Sequence, residues 1–148
     1  MKNQLLVFAL DGNQYAVRLH EVERVVPAVE ITPLPEGPEI VVGVINVQGR
    51  VIPVLNIRRR FRLPEREIDL NDNIVIVKGT KWTAAFAVDS VKGVIERGDD
   101  EIIPSDNILP GMEHMQGIVM IADELVFLHD IDKALSFEEK ERIATITG

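Results

Sequence analysis

The chain of 148 residues contains no cysteine, so disulfide frameworks, thiolate–zinc sites and catalytic thiols are excluded. It also lacks any run of about 18 apolar residues, the length needed to span a membrane as a helix. Only six apolar residues precede Asp11, too few for the core of a signal peptide. We therefore expect a soluble cytoplasmic protein with no direct membrane insertion.

The sequence has little that points to catalysis. Its histidines, His20, His114 and His129, are scattered and form neither an HxH nor an HExxH pair. The acidic run Asp99-Asp100-Glu101 lacks the alternating ligands of a calcium loop. No GxSxG, SxxK or P-loop motif surrounds the serines, threonines and lysines. These absences predict a non-enzymatic protein without metal, cofactor or small-molecule substrate.

Aromatic residues are also scarce, at 5%, and the net charge is −8. A nucleic-acid-binding barrel uses stacked aromatics and basic rims, whereas an acidic surface repels phosphates. Tyr15, Trp82 and Phe86 lie in strand contexts, where core packing is the default interpretation. We therefore expect no nucleic-acid partner, and a small nucleic-acid-binding barrel remains only a distant alternative.

The charges are unevenly distributed along the chain. Residues 1–66 carry nine Lys/Arg and seven Asp/Glu, a balance of +2, whereas residues 67–148 carry seven and seventeen, a balance of −10. Much of the basic excess follows Ile57, where we predict a short solvated helix with Ile57 and Phe61 pointing inward. Such polarity also suits head-to-tail contact between related modules, through Arg58, Arg59 and Arg62.

An internal repeat is the main feature that the sequence does contain. A shift of 74 positions places Gly117–Ile121 on Gly43–Val47, and Leu125–Leu128 on Val51–Val54. Upstream, the hairpin that begins at Val7 resembles the one that begins at Val75, at a shift of about 69. Three matching blocks in the same order indicate one supersecondary unit used twice.

The secondary structure predicted from the sequence is mainly β, with five strands in each repeat. Several strands are apolar at successive positions, as in Leu5–Phe8 and Ile74–Val77, so we expect them to be buried on both faces. Ser136 and Glu139 form a capping-box pattern that predicts a C-terminal helix packing Phe137 and Ile143 against a barrel. A pair of small closed barrels is the simplest architecture, because closure removes exposed edges. The predicted strands span residues 4–10, 14–19, 22–26, 40–47, 50–56, 73–78, 82–88, 91–96, 117–122 and 124–129.

Four segments of the sequence form a recognisable set: Gly43–Phe61, Asn71-Asp72-Asn73 before a strand, Val88-Asp89-x-Val91 and Ile102-Ile103-Pro104. In order and spacing they resemble the CheW domain of bacterial and archaeal chemotaxis. The resemblance implies two five-stranded SH3-like β-barrel subdomains with short helices and a C-terminal helix. We therefore expect one CheW-like domain over residues 1–148, with subdomains at approximately 1–66 and 67–148 and terminal segments exchanged between them.

The resemblance also implies a function without catalysis. CheW-like adaptors couple the cytoplasmic tips of methyl-accepting chemoreceptors to the regulatory domain of the histidine kinase CheA, in arrays at the inner membrane. That regulatory domain is itself CheW-like, so the two proteins can alternate in rings. The charge polarity described above, with Arg58, Arg59 and Arg62 as kinase or array contacts, fits such assembly.

Carried onto this chain, the family's receptor-binding groove maps to residues of both repeats. Two of these residues depart from the family pattern: the family usually has arginine where Gln48 stands and often glutamate where Arg24 stands. These departures keep open a second function, in which the chain is a competitive regulator or serves a non-flagellar chemosensory array. The predicted groove residues are Val22, Arg24, Val25, Gly43, Asn46, Gln48, Gly49 and Val94.

Overall fold

The structure of the protein, a computed structural model, describes residues 2–35, 37–104 and 115–146. Each of the ten predicted strands is present, with its ends within two residues of the prediction. The strands are β1 (Lys2–Leu10), β2 (Asn13–Arg18), β3 (Val22–Pro27), β4 (Val41–Val47), β5 (Arg50–Leu55), β6 (Asn73–Lys78), β7 (Thr83–Val88), β8 (Ser90–Gly98), β9 (Ile103–Pro104), β10 (Met115–Ile121) and β11 (Glu124–His129). The helices are α1 (Ile57–Arg60), α2 (Ile131–Ala134) and α3 (Phe137–Ile146), with 3-10 turns at Leu19–Glu21 and Asp99–Glu101.

The strands form two sheets. The central sheet has five strands in the order β3-β6-β7-β5-β4, and the terminal sheet has six in the order β8-β1-β2-β11-β10-β9. The two-residue strand β9 was not predicted; residues 105–114, which follow it and include His114, lie outside the described residues. Neighbouring strands pair antiparallel except β5 with β7 and β2 with β11, which are parallel.

Sheet membership crosses the predicted repeat boundary near residue 66. The first hairpin of the chain, β1–β2, lies in the terminal sheet, whereas β6–β7, the matching hairpin of the second repeat, lies in the central sheet. Each sheet therefore combines strands from both sequence repeats, because the hairpin of one repeat pairs with the remaining strands of the other. The boundary itself stays a prediction about the repeat and does not separate the sheets.

The two sheets share their irregularities as well as their order. The β4–β5 ladder shifts register between Val41 and Gly43, and the β10–β11 ladder shifts between Met115 and Gly117, 74 positions later. The β3–β6 and β1–β8 ladders also each contain one bulge. Bulges re-aim a strand at a fixed position. The matching positions give the sheets closely similar frameworks.

The core confirms that the long apolar strands are buried on both faces. In β1, Leu6 and Phe8 pack into a central core that contains residues of both sheets, while Leu5 and Val7 point into a separate core of the terminal sheet. The central sheet has its own third core, which includes Ile74 and Ile76 of β6. β1 and β6 therefore have no solvent-facing side, which explains their continuous apolar sequence.

Short helices close the sheets, and side chains fix where they begin. The Asn56 side chain accepts from the Arg59 N–H at the start of α1, and the Asp130 side chain accepts from the Lys133 N–H at the start of α2. At α3, the Glu139 N–H donates to Ser136 Oγ and the Ser136 N–H donates to Glu139 Oε1, at 3.1 and 2.8 Å. This is the predicted capping box.

Two side-chain predictions for the helices are wrong. Ile143 of α3 is buried as predicted, but Phe137 is 75% exposed, because it lies in the first turn of α3, where the helix is only beginning to cover the core. In α1, Ile57 is buried and Phe61 packs against the central core, yet Arg58 is buried too. The predicted solvated helix therefore applies to Arg59 and not to Arg58, whose charge is satisfied inside the protein.

Candidate functional site

The predicted groove residues of the first repeat meet where β3 passes the tip of the β4–β5 hairpin. We call this region, residues 22–25 and 46–51, the hairpin surface. Arg24 Nη1 donates to Gln48 Oε1 at 3.4 Å, and Arg50 binds both carboxylate oxygens of Glu23 at 2.8 and 2.9 Å. Two side-chain contacts thus link β3 to the hairpin.

The hairpin tip is a tight two-residue turn. Gln48 and Gly49 have φ values of 53° and 84°, the pattern of a type I′ turn, which matches the twist of the flanking strands. The Asn46 side chain accepts from the Gly49 N–H at 2.8 Å. Asn46 and Gly49 therefore build the turn, and the Gln48 side chain is the member of this turn that reaches β3.

Gly43 has a different role from the one predicted for it. It is buried, and a Cβ at this position would lie 2.5 Å from the Thr32 carbonyl oxygen and 2.6 Å from Ile31 Cγ2. Glycine is required here because segment 31–32 lies against β4, where Thr32 and Val44 form an antiparallel bridge. The structure thus places Gly43 against this bridged segment and not on an open surface.

The apolar members of the predicted groove differ in exposure. Val22 is half-buried and packs against the central core, whereas Val25 is 37% exposed. Val94 is 51% exposed but lies on β8, at the edge of the terminal sheet. Val51, 37% exposed and opposite Asn46 in the β4–β5 ladder, was not predicted. Its place beside the hairpin turn, opposite the polar Asn46, could have identified it.

The electrostatics of the hairpin surface are dominated by Arg24. The charge of Glu23 is balanced by Arg50, which also donates to Thr83 Oγ1 at 2.9 Å. Arg24 instead faces the neutral amide of Gln48, so its positive charge has no counterion in that contact. The two positions at which the sequence departs from the family are therefore in contact, and together they leave a cation on this surface.

The arginines predicted as kinase or array contacts are not equivalent. Arg58 is 9% exposed and its Nη2 lies 2.6 Å from Asp89 Oδ1, which leaves little of it for a partner. Arg59 is exposed and pairs with Glu39. Arg62 is exposed, with a positive φ of 60° that turns the chain after α1. Arg59 and Arg62 remain the candidates for contact.

Asp89, at the junction of β7 and β8, is the centre of an ion cluster. It accepts from Arg58 and Arg66 and from the Asp11 N–H, the last at 2.8 Å. Burial alone would raise the pKa of Asp89, but these donors outweigh it and hold the pKa below its usual value. Arg66 also binds both oxygens of buried Asp72. The cluster fastens α1 and the following loop to the β1–β2 turn.

Glu21 precedes the hairpin surface on a 3-10 turn. Burial, together with the nearby carboxylates of Asp130 and Asp132, raises its pKa to about 7, against a smaller opposing effect of Arg18. Gln116 links Arg18 to Asp130 through hydrogen bonds of 3.2 and 3.1 Å. This junction therefore holds a carboxyl group that is protonated in part near neutral pH.

The described residues include no cluster of side chains arranged to hold a metal ion. Within residues 2–35, 37–104 and 115–146, no three His, Asp or Glu side chains are grouped so as to hold a metal ion. His20 is exposed, and His129 is buried and stacks on Phe61 with ring centroids 3.9 Å apart. No helix in this described part of the chain is long and apolar enough to span a membrane. The surface offers contacts for binding.

Comparison with known proteins gives consistent results. A family model for the CheW-like domain matches residues 4–139. The chain is similar to the chemotaxis protein CheW of Treponema pallidum, 24% identical over 149 residues, covering 97% of this chain and 88% of that protein. It is 27% identical to the chemotaxis protein CheW of Thermotoga maritima over 132 residues, covering 89% and 87%.

Among solved structures, the chain resembles the scaffolding protein TtCheW from Thermoanaerobacter tengcongensis. The TM-score is 0.82 at 29% identity, with 95% of this chain and 97% of that chain covered. This similarity confirms the predicted fold class, mainly β with two SH3-like subdomains.

Proposed function

We propose that this chain, which belongs to the CheW-like domain family of chemotaxis scaffold proteins, couples chemoreceptor tips to a CheA-type histidine kinase. The hairpin surface accepts the helical tip of a receptor, and the exposed arginines Arg59 and Arg62 contact the kinase regulatory domain. In this role the protein is a cytoplasmic adaptor that associates with receptor arrays.

The observation that carries the proposal is the mixed character of the hairpin surface. Val25 and Val51 are each 37% exposed, and the same surface carries Arg24, which donates to the neutral amide of Gln48. An amphipathic helix binds by placing apolar side chains on such exposed residues while its polar groups meet the rim. The rigid type I′ turn holds the hairpin in position before any partner arrives.

A binding titration with a receptor-tip fragment and with the kinase regulatory domain tests the proposal. We expect Val25→Asp to weaken receptor-tip binding about tenfold, because it places a charge in the apolar contact. Leu125→Asp, the same change at an exposed aliphatic side chain of the terminal sheet, is the matched control and should leave that binding unchanged. If the unaltered protein binds neither partner at tens of micromolar, the coupling function is wrong.

A second function, competitive regulation, is favoured by the Arg24–Gln48 contact. A chain that occupies receptor or kinase sites without the family's usual Glu and Arg at these positions would block activation instead of supporting it. Reconstituted kinase assays separate the two functions, because a coupler raises receptor-dependent autophosphorylation and a competitor lowers it. In either case Arg24→Glu combined with Gln48→Arg, which restores the family pattern, should increase the kinase activity reached.

A further inference from the structure

A second surface of interest lies at the other end of the central sheet. Segment 28–33, Val42 of β4 and segment 65–70 enclose a cleft of about 870 Å³, which we call the acidic cleft. Val42 and Gln48 lie six residues apart on the β4 side of the hairpin, a separation of about 20 Å in an extended strand. The acidic cleft is therefore distinct from the hairpin surface.

The acidic cleft concentrates exposed apolar side chains. Leu70 is 92% exposed, Val42 41% and Val29 40%, and Ile31 and Ile68 line the cleft between them. Single exposed apolar residues are ordinary on a protein surface, but several around one concavity mark a binding site. An apolar occupant would remove these side chains from water.

The charges around the acidic cleft are of one sign. Four of the lining residues are exposed acids: Glu30, Glu65, Glu67 and Asp69. Its one basic lining residue, Arg66, is engaged by Asp72 and Asp89. The rim therefore presents excess negative charge to an incoming partner.

Hydrogen bonds fix the backbone turn that carries the exposed Leu70. The Asp69 N–H donates to Asp72 Oδ2 at 2.9 Å, and the Asp72 N–H donates to the Asp69 carbonyl oxygen at 3.0 Å. Asp72 is itself 5% exposed and fixed by Arg66. The backbone of the turn that carries Leu70 is thus fixed before binding, which lowers the entropy that binding at this position would cost.

From this combination we propose that the acidic cleft binds a cationic amphipathic segment of a partner protein. The apolar face of that segment packs on Val29, Val42 and Leu70. Its lysines or arginines pair with Glu30, Glu67 and Asp69 at the rim. The inference stands apart from receptor coupling, because it uses none of the residues of the hairpin surface.

A designed peptide titration tests this proposal. The probe is a synthetic helical peptide of leucines and lysines with an apolar face, and the comparison is the same peptide with glutamate in place of lysine. Calorimetry with the full-length protein at low salt should detect the lysine peptide only, and added salt should weaken its binding. Binding of both peptides alike, or of neither, would overturn the proposal.

Matched variants separate the cleft from the overall negative charge. We expect Glu30→Lys combined with Glu67→Lys to weaken binding of the lysine peptide at least about tenfold. Glu138→Lys combined with Glu141→Lys makes the same charge change at exposed positions of α3 and should leave binding within about threefold of the unaltered protein. Equal losses of peptide affinity for the two pairs of substitutions would show that only net charge matters. The proposed binding in the acidic cleft would then be wrong.

The apolar part of the contact is tested at Leu70. Leu70→Ser should lower the affinity for the lysine peptide about fivefold or more. Leu125→Ser, on the terminal sheet and 49% exposed, should leave that affinity unchanged. Because Leu70 is almost fully exposed, its replacement leaves the fold intact, which the circular dichroism spectrum verifies. Unchanged affinity in Leu70→Ser would contradict the proposed apolar contact.

Discussion

The central and terminal sheets have the same framework but different surfaces. In both, one glycine lies against a short segment that pairs antiparallel with its own strand: a Cβ on Gly43 would meet the Thr32 carbonyl oxygen and one on Gly117 the Ile103 carbonyl oxygen, each at 2.5 Å. The parallel contacts also match, since the Val54–Ala85 pair corresponds to the Leu128–Ala16 pair at shifts of 74 and 69. Positions that determine backbone geometry have kept their character in both sheets.

The positions exposed to solvent, in contrast, differ in character between the two sheets. Asn46, polar and part of the hairpin turn, corresponds to Met120, which is 45% exposed. Thr32 corresponds to Ile103, which is 49% exposed, and Arg24 corresponds to Gly93. The comparison teaches that a repeated framework can carry two unlike binding surfaces, because side chains that point to solvent constrain the fold least.

The strongest test of the shared framework is to add a Cβ to each buried glycine. We expect Gly43→Ala and Gly117→Ala each to lower the free energy of unfolding by about 3 kcal/mol, because the new methyl group would overlap a backbone oxygen that cannot move without shifting a strand. Urea denaturation measures both. Gly98→Ala, where the nearest atom belongs to the flexible Asp100 side chain, is the control and should change stability by under about 1 kcal/mol.

Equal losses for Gly43→Ala and Gly117→Ala would support equivalent roles in the two sheets. A large loss for one and none for the other would break the equivalence of the sheets at this position.

The junctions that precede the two edge strands should respond differently to mutation. Asp89 precedes β8 and corresponds to His20, near the start of β3, at the shift of 69. Asp89→Ala removes the partner of buried Arg58, so we expect a loss of about 2 kcal/mol in urea denaturation. His20→Ala, at an exposed side chain, should change stability by less than about 0.5 kcal/mol. Similar effects at the two positions would contradict the ion cluster's proposed contribution.

How well the sequence predicted each feature of the structure depends on how far apart along the chain the interacting residues lie. Strand positions were predicted well, because alternation and turn residues are local signals and both buried faces of β1 are visible in Leu5–Phe8. Sheet membership could not be deduced from local signals, since the parallel pairings of β5 with β7 and of β2 with β11 join distant segments. The expected exchange of terminal segments came only from the family resemblance. The burial of Arg58 likewise depends on Asp89, 31 positions away.

The candidate site shows the same limit. The sequence identified Arg24 and Gln48 as departures from a family pattern, but their contact is a property of the fold. It placed Val25 and Val94 in the predicted groove, but their exposed fractions, 37% and 51%, are known only from the structure. Exposure in a strand whose partner is unknown cannot be deduced from apolar character alone.

The smallest expected effect concerns the pH dependence of stability, which should differ between the junction before β3 and the junction before β8. Glu21 ends the 3-10 turn before β3 and corresponds to Ser90 at the start of β8. The carboxyl group at the second junction, Asp89, has a pKa held below its usual value, so only the junction before β3 has a carboxyl group whose pKa is raised. The pKa of Glu21 is raised from 4.5 to about 7 in the folded protein, so folding takes up a proton between these values. The contribution of Glu21 to the free energy of unfolding is therefore greatest below about pH 4.5 and declines as the pH rises through 7.

Glu21→Gln, which is neutral throughout, should remove this decline. Because Glu21 is partly accessible to solvent, we expect the unfolding free energies of the two proteins to diverge by only about 1 kcal/mol between pH 5 and pH 8, with the variant more stable at the higher pH. Glu138→Gln removes an exposed carboxylate from α3 and should leave the pH dependence as it is. Parallel curves for Glu21→Gln and the unaltered protein would mean that this carboxyl group is ionised as readily in the folded chain as in the unfolded one. The β2–β3 junction would then be no more sensitive to pH than its counterpart before β8.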